Sequence, residues 1–106
     1  MPIFLSQAAY TPAGVHGLIK EGGTKRRDAI QALVEKSGGK LIGFYFAYGE
    51  ADAYVITEYP DRASALALSI AVNASGAVRL TQIELMLPEE VDAAITKLPA
   101  YRAPGT

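Results

Sequence analysis

The residues that could carry chemistry are concentrated between Phe44 and Tyr54, a stretch that reads FYFAYGEADAY. Asp52 is the central candidate, with Tyr48 and Tyr54 as neighbours. A carboxylate at the mouth of an apolar cavity can act as a general base, and a tyrosine hydroxyl can orient a substrate carbonyl or phenol. Asp is also a common turn residue, because its side chain bonds backbone N–H groups. Asp52 is therefore either a binding or catalytic carboxylate or a structural turn residue.

The spacing of this stretch predicts a β-hairpin with a three-residue loop, because Gly49-Glu50-Ala51 separates two strand-like runs. That loop places Tyr48 opposite Asp52 and Phe46 opposite Tyr54, with Phe44 opposite Ile56 further along. One face of the hairpin is then strongly aromatic. We predict a ligand-binding surface on it, or the core of a dimer, formed by Phe44, Phe46, Tyr48, Asp52 and Tyr54.

A basic segment follows two glycines at Gly22-Gly23. Free backbone N–H groups at a helix start, flanked by cations, are suited to a phosphate or a carboxylate. The predicted anion-binding residues are Thr24, Lys25, Arg26 and Arg27. The segment lacks the spacing of a nucleoside-triphosphate loop, and a short run of mixed charge is commonly a solvated face that pairs with acids such as Glu21 or Asp28.

Other candidates carry less weight. His16 is the only histidine, and the chain has no Cys, so we predict no metal site and no cofactor. Ser6 and Tyr10 on the first strand could contribute polar groups. The remaining candidates are strand residues that are either buried and paired or exposed at a sheet edge, namely Glu58, Gln82 and Glu84.

Composition limits the class of protein. A chain of 106 residues is one domain, which we place at residues 1–98, followed by an extended tail at residues 99–106. The formal net charge of −1 offers no field that would attract nucleic acid or an anionic membrane, so neither is an expected partner. The first seven residues lack a basic n-region, so we expect no signal peptide and a cytoplasmic location.

The hydrophobic pattern predicts strand, helix, strand, strand, helix, strand, helix. The first helix begins at Thr11-Pro12 and either kinks or restarts near Gly22-Gly23, and the second begins at Asp61. This is an α+β, ferredoxin-like βαββαβ order with an extra C-terminal helix. The side of that last helix predicted to be buried carries Val91, Ala94, Ile95 and Leu98.

Two helices cover only one face of a four-stranded sheet. On the other face, a patch of Phe44, Phe46, Tyr54 and Ile56 would be larger than a monomer normally exposes. Pairing two sheets face to face buries such a patch, as in a dimeric α/β barrel. The expected partner is therefore a second copy of the chain, in a homodimer or a higher homo-oligomer.

Four segments carry a resemblance to a known family. They are Ile3 to Val15, Glu21 to Arg27, the hairpin Phe44 to Tyr54, and Ala74 to Arg79. Together they resemble the GYD domain family, in register over nearly the whole chain. The resemblance implies a ferredoxin-like, dimeric α/β barrel fold, in small proteins of unassigned biochemical role. Gly49 and Asp52 match the outer letters of the motif that names the family, whereas Ala51 stands where the motif has its aromatic residue.

Three functional hypotheses follow. The first is a homo-oligomeric small-molecule-binding or assembly module, with an apolar, tyrosine-edged cavity on the sheet face that accepts a small organic ligand. The second is a cofactor-independent enzyme resembling the monooxygenases or isomerases that share this barrel, in which Asp52 and tyrosine hydroxyls handle protons. The third is a purely structural oligomer. Whether the chain is an enzyme is left open by the sequence.

Overall fold

A computed structural model describes residues 1–106 as one antiparallel sheet with helices packed on one of its faces. The strands lie in the order β2-β3-β1-β4. The elements are β1 (Ile3–Tyr10), α1 (Pro12–Glu21), α2 (Gly23–Lys36), β2 (Lys40–Phe46), β3 (Ala53–Glu58), α3 (Arg62–Ala74), β4 (Val78–Leu85) and α4 (Pro88–Ile95). This confirms the predicted α+β, ferredoxin-like order with an additional C-terminal helix.

The helix boundaries follow from local chemistry that the sequence displays. The Thr11 hydroxyl accepts a hydrogen bond from the Gly14 N–H at the start of α1, and Asp61 accepts one from the Ser64 N–H at the start of α3. The bond to Asp61 holds the pKa of its carboxyl below the usual range. Gly22 has a φ of +88°, a conformation that glycine adopts readily, so the chain ends α1 there and restarts as α2. Of the two alternatives predicted here, a kink or a restart, the structure shows the restart.

The predicted hairpin register is wrong by one residue. Phe46 pairs with Ala53 and Phe44 with Val55, because the loop that joins β2 and β3 holds four residues, not three. The Ala47 N–H closes this loop by bonding the Asp52 carbonyl at 2.8 Å. A shift of one residue turns each side chain to the opposite face of a sheet. Phe44 and Phe46 therefore point toward the helices, and not away from them.

A β-bulge follows in β2, where the register shifts between Leu41 and Gly43. Beyond it, Lys40 lies opposite Glu58. A bulge lets two residues of one strand oppose one of the other, so the start of β2 stays paired with the end of β3 but lies two residues from the predicted register.

The helix-covered face has two small hydrophobic clusters. One joins Phe4, Val34, Tyr59 and Ala65, with the Phe4 and Tyr59 rings in edge contact at 6.1 Å between centroids. The other joins Ala8, Ala53 and Val78. Small side chains occupy the middle of this face, so the sheet and helices do not fill the space between the two clusters completely.

The other face of the sheet is covered by no element of the chain, and we call it the open face. Cross-strand partners align Ile56, Leu5 and Ile83 in one row, with Ile3 and Leu85 beside it. Tyr45 and Tyr54 form the next pair. An apolar open face was predicted, and two of its four predicted residues, Tyr54 and Ile56, lie on it.

The last helix differs from its prediction. The apolar side of α4, expected to be buried, is exposed at every position from Leu87 to Leu98. Residues 86–106 project from the sheet as an arm, and the radius of gyration is 17.1 Å. A compact chain of this length has a radius of about 13 Å. The apolar side of α4 therefore packs against no other helix or strand of its own chain.

The fold makes one prediction about a close contact. A Cβ at Gly14 would collide with the Ala77 carbonyl oxygen, which also accepts a hydrogen bond from the Thr11 N–H at 3.0 Å. We expect Gly14→Ala to lower the free energy of unfolding by about 1–3 kcal/mol, because α1 must move off the start of β4. Urea denaturation measures the change.

Gly17 is the matched control, because it lies in the same helix and a Cβ there meets nothing within 4 Å. Gly17→Ala should raise the free energy of unfolding by about 0.5–1 kcal/mol through helix propensity. Equal effects of the two substitutions would contradict the close contact.

Candidate functional site

Three cavities surround the end of β1, and Tyr10 lines all of them. An inner cavity of about 40 Å³ lies between the sheet and helices α2 and α3. A groove of about 350 Å³ runs between α1, α2 and α3, and an outer cavity of about 400 Å³ lies between α1 and the hairpin loop. All three are on the helix side of the sheet, whereas the predicted ligand cavity was on the open face.

Asp52 lies at the wall of the outer cavity, where it is bound to the backbone. Its Oδ2 accepts a hydrogen bond from the Tyr10 N–H at 2.8 Å, and its own N–H donates to the Ala8 carbonyl at 2.8 Å. The side chain thus pairs a backbone donor that the end of β1 would otherwise leave free. Of the two interpretations of Asp52, the geometry matches the structural one, although the N–H that it bonds belongs to β1 and not to its own turn.

The other predicted ligand-binding residues are divided among three places. Phe46 and Tyr48 line the outer cavity with Asp52, and the Tyr48 side chain is fully exposed. Phe44 lines the inner cavity, in edge contact with Phe46 at 5.2 Å between ring centroids. Tyr54 lies on the open face, on the opposite side of the sheet from Asp52. The structure therefore does not place Tyr54 and Asp52 around one ligand.

The residues of the basic segment do not form one site, because three of them are exposed and one points inward. Thr24, Lys25 and Arg27 are exposed in the first turns of α2, and Arg27 pairs with the neighbouring Asp28 at 3.1 Å. Arg26 instead turns inward and lines both the inner cavity and the groove. It has no carboxylate within 4 Å, since the salt bridges of the chain are Arg27–Asp28 and Arg62–Glu84.

Tyr10 lies beside Arg26 at the junction of the cavities. Burial raises the pKa of the Tyr10 hydroxyl. The Arg26 guanidinium offsets part of the rise, whereas the carboxylates of Asp52 and Glu21 add to it. The phenol is therefore neutral over the physiological range and keeps its proton for donation. Sequence reasoning gave Tyr10 little weight, because nothing in its spacing indicated that Arg26 would reach it from α2.

Polar side chains lie under the helices in the centre of the sheet. Ser6 and Thr57 line the inner cavity, and Gln82 pairs with Ser6 across β1 and β4. Thr57 is 2% exposed and its hydroxyl lies beside the buried Tyr59 hydroxyl, whereas the Gln82 side-chain nitrogen has no hydrogen-bond partner. A buried polar group without a partner costs about 1–3 kcal/mol. Ser6 and Thr57 therefore give the floor of the inner cavity a polar side, whereas Gln82 is not part of its lining.

The remaining candidates lie outside this site. His16 is exposed on α1, and Glu58 faces Lys40 across β2 and β3. Glu84 binds Arg62 through two hydrogen bonds of 2.7 and 2.8 Å, which hold the pKa of the Glu84 carboxyl below its usual range. No group of three or more His, Cys, Asp or Glu side chains converges on a point that could hold a metal ion. No helix is long and apolar enough to cross a membrane.

Comparison with known proteins identifies the family. The model of the GYD domain matches residues 4–95, which include all four helices and, apart from Ile3, all four strands. The chain belongs to the GYD domain family. No curated protein and no solved structure matches it. In the GYD domain of this chain, Tyr10 lines all three cavities and Arg26 lines two of them, whereas the hairpin aromatics are divided among them.

The backbone role of Asp52 makes a prediction about stability. Asp52→Ala should lower the free energy of unfolding by about 1–3 kcal/mol, because the Tyr10 N–H loses a charged acceptor in a half-buried position. Asp52→Asn keeps an acceptor oxygen at the same place and should cost less than half as much. Urea denaturation of both variants measures the difference.

Asp28→Ala is the control, since Asp28 pairs only with an exposed neighbour and should contribute at most about 1 kcal/mol. If Asp52→Ala were as stable as the unchanged protein, the bond to Tyr10 would not be holding the hairpin loop.

Proposed function

We propose that the protein is a homodimeric module that binds a small organic molecule on the helix side of its sheet, while the open faces of the two sheets pair with each other. The open face is the observation that carries the proposal. It presents a row of Ile56, Leu5 and Ile83 flanked by Ile3 and Leu85, with no helix or loop of the chain above it. Water-exposed apolar rows of this kind are characteristic of protein interfaces.

A second copy is the occupant that fits this face. Each open face offers the same residues, so a twofold axis lets Ile83 of one copy meet the apolar row of the other. Strands about 4.8 Å apart with a rise of about 3.3 Å per residue give a four-stranded face on the order of 450 Å². Two such faces bury about 900 Å², which is less than the roughly 1,200 Å² of a stable interface.

The arm supplies the missing area. Leu87, Val91 and Ile95 follow one another at four-residue spacing on one side of α4, and all are exposed. The arm begins where β4 ends, at the rim of the open face, so an arm that crosses to the partner extends the same apolar surface. Each large aliphatic side chain buried there contributes about 1.5–3 kcal/mol.

The cavities support the ligand-binding part of the proposal. The groove and the outer cavity, at about 350 and 400 Å³, lie within the usual range for small-molecule sites. Apolar side chains form most of their walls, and the polar groups are those of Tyr10, Glu21, Arg26, Tyr48, Asp52 and Ser75. That combination is typical of sites that bind a largely apolar molecule and orient it by a few hydrogen bonds.

The enzymatic alternative is not favoured by a specific observation. Its base would be Asp52, and one carboxylate oxygen of Asp52 is bonded to the Tyr10 N–H. Its tyrosine partner Tyr54 lies on the other face of the sheet. A cytoplasmic location and the absence of nucleic acid and membrane partners stay predictions from the sequence.

If two copies pair through the open face, a charge introduced by substitution on that face should dissociate the dimer. We expect the unchanged protein to have twice the 11.2 kDa mass of one chain in sedimentation equilibrium at micromolar concentration. Ile83→Lys should have the mass of one chain, because a lysine in the apolar row must lose its hydration in the dimer. A monomeric unchanged protein would contradict the proposal.

Ile70→Lys is the matched control for this experiment. Ile70 lies on α3 and is 61% exposed, compared with 50% for Ile83, so both substitutions change the surface of a single chain equally little. Ile70→Lys should remain dimeric. Dissociation by both variants would place the interface elsewhere.

The contribution of the arm is tested by a second pair of variants. Ile95→Lys should weaken the dimer at least about tenfold, since 1.4 kcal/mol corresponds to a factor of ten. Ala93→Lys, on the opposite side of α4, should leave the dissociation constant within a factor of about two. Equal dissociation constants for the two variants would exclude the apolar side of α4 from the interface.

A further inference from the structure

Arg26 is the one arginine of the chain that lines a cavity and has no carboxylate within 4 Å. It lies in the first turns of α2 and reaches the wall shared by the inner cavity and the groove. A guanidinium has five N–H donors in a fixed planar arrangement that matches the two oxygens of a carboxylate. The Tyr10 hydroxyl beside it can donate to the same group, since burial keeps the phenol protonated.

The surroundings of Arg26 are apolar in both directions. Ile30, Val34 and Phe44 line the inner cavity beyond it, and Leu18, Leu33 and Val72 line the groove on its outer side. A ligand whose head lies at Arg26 would therefore have its body against aliphatic and aromatic carbon. A multiply charged ligand such as a nucleotide would have no partners for its further charges there.

A second observation points to the same cavity independently of Arg26. The Thr57 hydroxyl lines the inner cavity and is buried, and its polar neighbour is the Tyr59 hydroxyl. A cavity of about 40 Å³ has room for a few atoms, because one water needs roughly 10–15 Å³ of such volume. The floor of the inner cavity therefore presents a hydroxyl, while its mouth carries the cation.

Two carboxylates near the site could compete with an anionic ligand for Arg26, but neither is bonded to it. Glu21 lines the groove, and Asp52 lines the outer cavity. One oxygen of Asp52 is already bonded to the Tyr10 N–H, and neither carboxylate lies within 4 Å of Arg26. Arg26 is also the only one of these charges that faces the inner cavity.

We propose that Arg26 and Tyr10 bind the carboxylate of a small, largely apolar monocarboxylic acid whose body lies in the groove between α1 and α3, with the inner cavity beyond it. This inference rests on the proposed function, since it assigns a ligand class to the same module. It differs from the helix-start anion site expected from the sequence, because Thr24, Lys25 and Arg27 face solvent and take no part.

The experiment uses hexanoate as the probe, with hexanamide as its uncharged match and hexylammonium as its cationic match. Calorimetry measures the affinities, and amide spectra of the full chain locate the site. Hexanoate should bind at least about tenfold more tightly than hexanamide, because a hydrogen-bonded charge contributes more than a neutral group. The shifted amides should be those of Tyr10, Leu18 and Arg26, which line the groove.

Variants of one turn of α2 separate the two anion sites. Arg26→Gln should weaken hexanoate at least about tenfold, whereas Arg27→Gln should change it less than about twofold. Arg26→Lys keeps the charge but not the planar donor pair, so its affinity should fall between those of Arg26→Gln and the unchanged protein. Circular dichroism of each variant verifies that the fold is retained, and Arg26→Lys serves if Arg26→Gln unfolds.

The inference is overturned if hexanamide or hexylammonium binds as tightly as hexanoate, if the shifted amides lie on the open face, or if no probe binds. Native mass spectrometry of the purified protein then distinguishes this failure from that of the proposed function. A dimer that retains some other compound leaves the binding module standing with a different ligand class. A monomer without any retained compound overturns both.

Discussion

The hydrogen bond between the Asp52 carboxylate and the Tyr10 N–H fixes the relation between the hairpin loop and the end of β1. Asp52 also donates its own N–H to Ala8, so this residue is paired with β1 and not with Tyr48. The loop must then span four residues, and the register of β2 against β3 follows from its length. Register decides which face each side chain occupies. The backbone pairing of Asp52 with Ala8 and Ala47, to which the carboxylate adds its bond to Tyr10, therefore goes with the composition of both faces of the sheet.

On the helix side, this register brings Phe44 and Phe46 under α2. Phe46 contacts Gly23 so closely that a Cβ there would lie 3.1 Å from its ring. The aromatic side chains thus wall the cavities around Tyr10 and do not fill the centre of the sheet, where Ala8 and Ala53 are small. On the open side, the same register leaves aliphatic residues and two tyrosines in place of the phenylalanines.

Much of the fold could be predicted because its signals are local. Thr11, Gly22 and Asp61 determine helix ends through their own side chains or backbone freedom, and the order of elements follows from them. The hairpin register could not be predicted, since the choice between a three- and a four-residue loop depends on Asp52 meeting β1, more than forty residues away. The sequence identifies Arg26 as a candidate cation for binding an anion. It does not show that Arg26 points toward the cavities, because the α1–α2 junction determines how α2 is rotated about its axis.

The apolar side of α4 was expected to be buried because of its periodicity. Periodicity shows which side of a helix is apolar, but not which surface covers it. Val91 and Ile95 find no partner in their own chain. The same holds for Ile83 on the open face, which the helices leave uncovered. These two apolar surfaces meet at the end of β4, so one neighbouring molecule can bury both of them. A second copy of the chain offers both surfaces at once and in the same relation, and it leaves the helix side, with Tyr10 and Arg26, open to a small ligand.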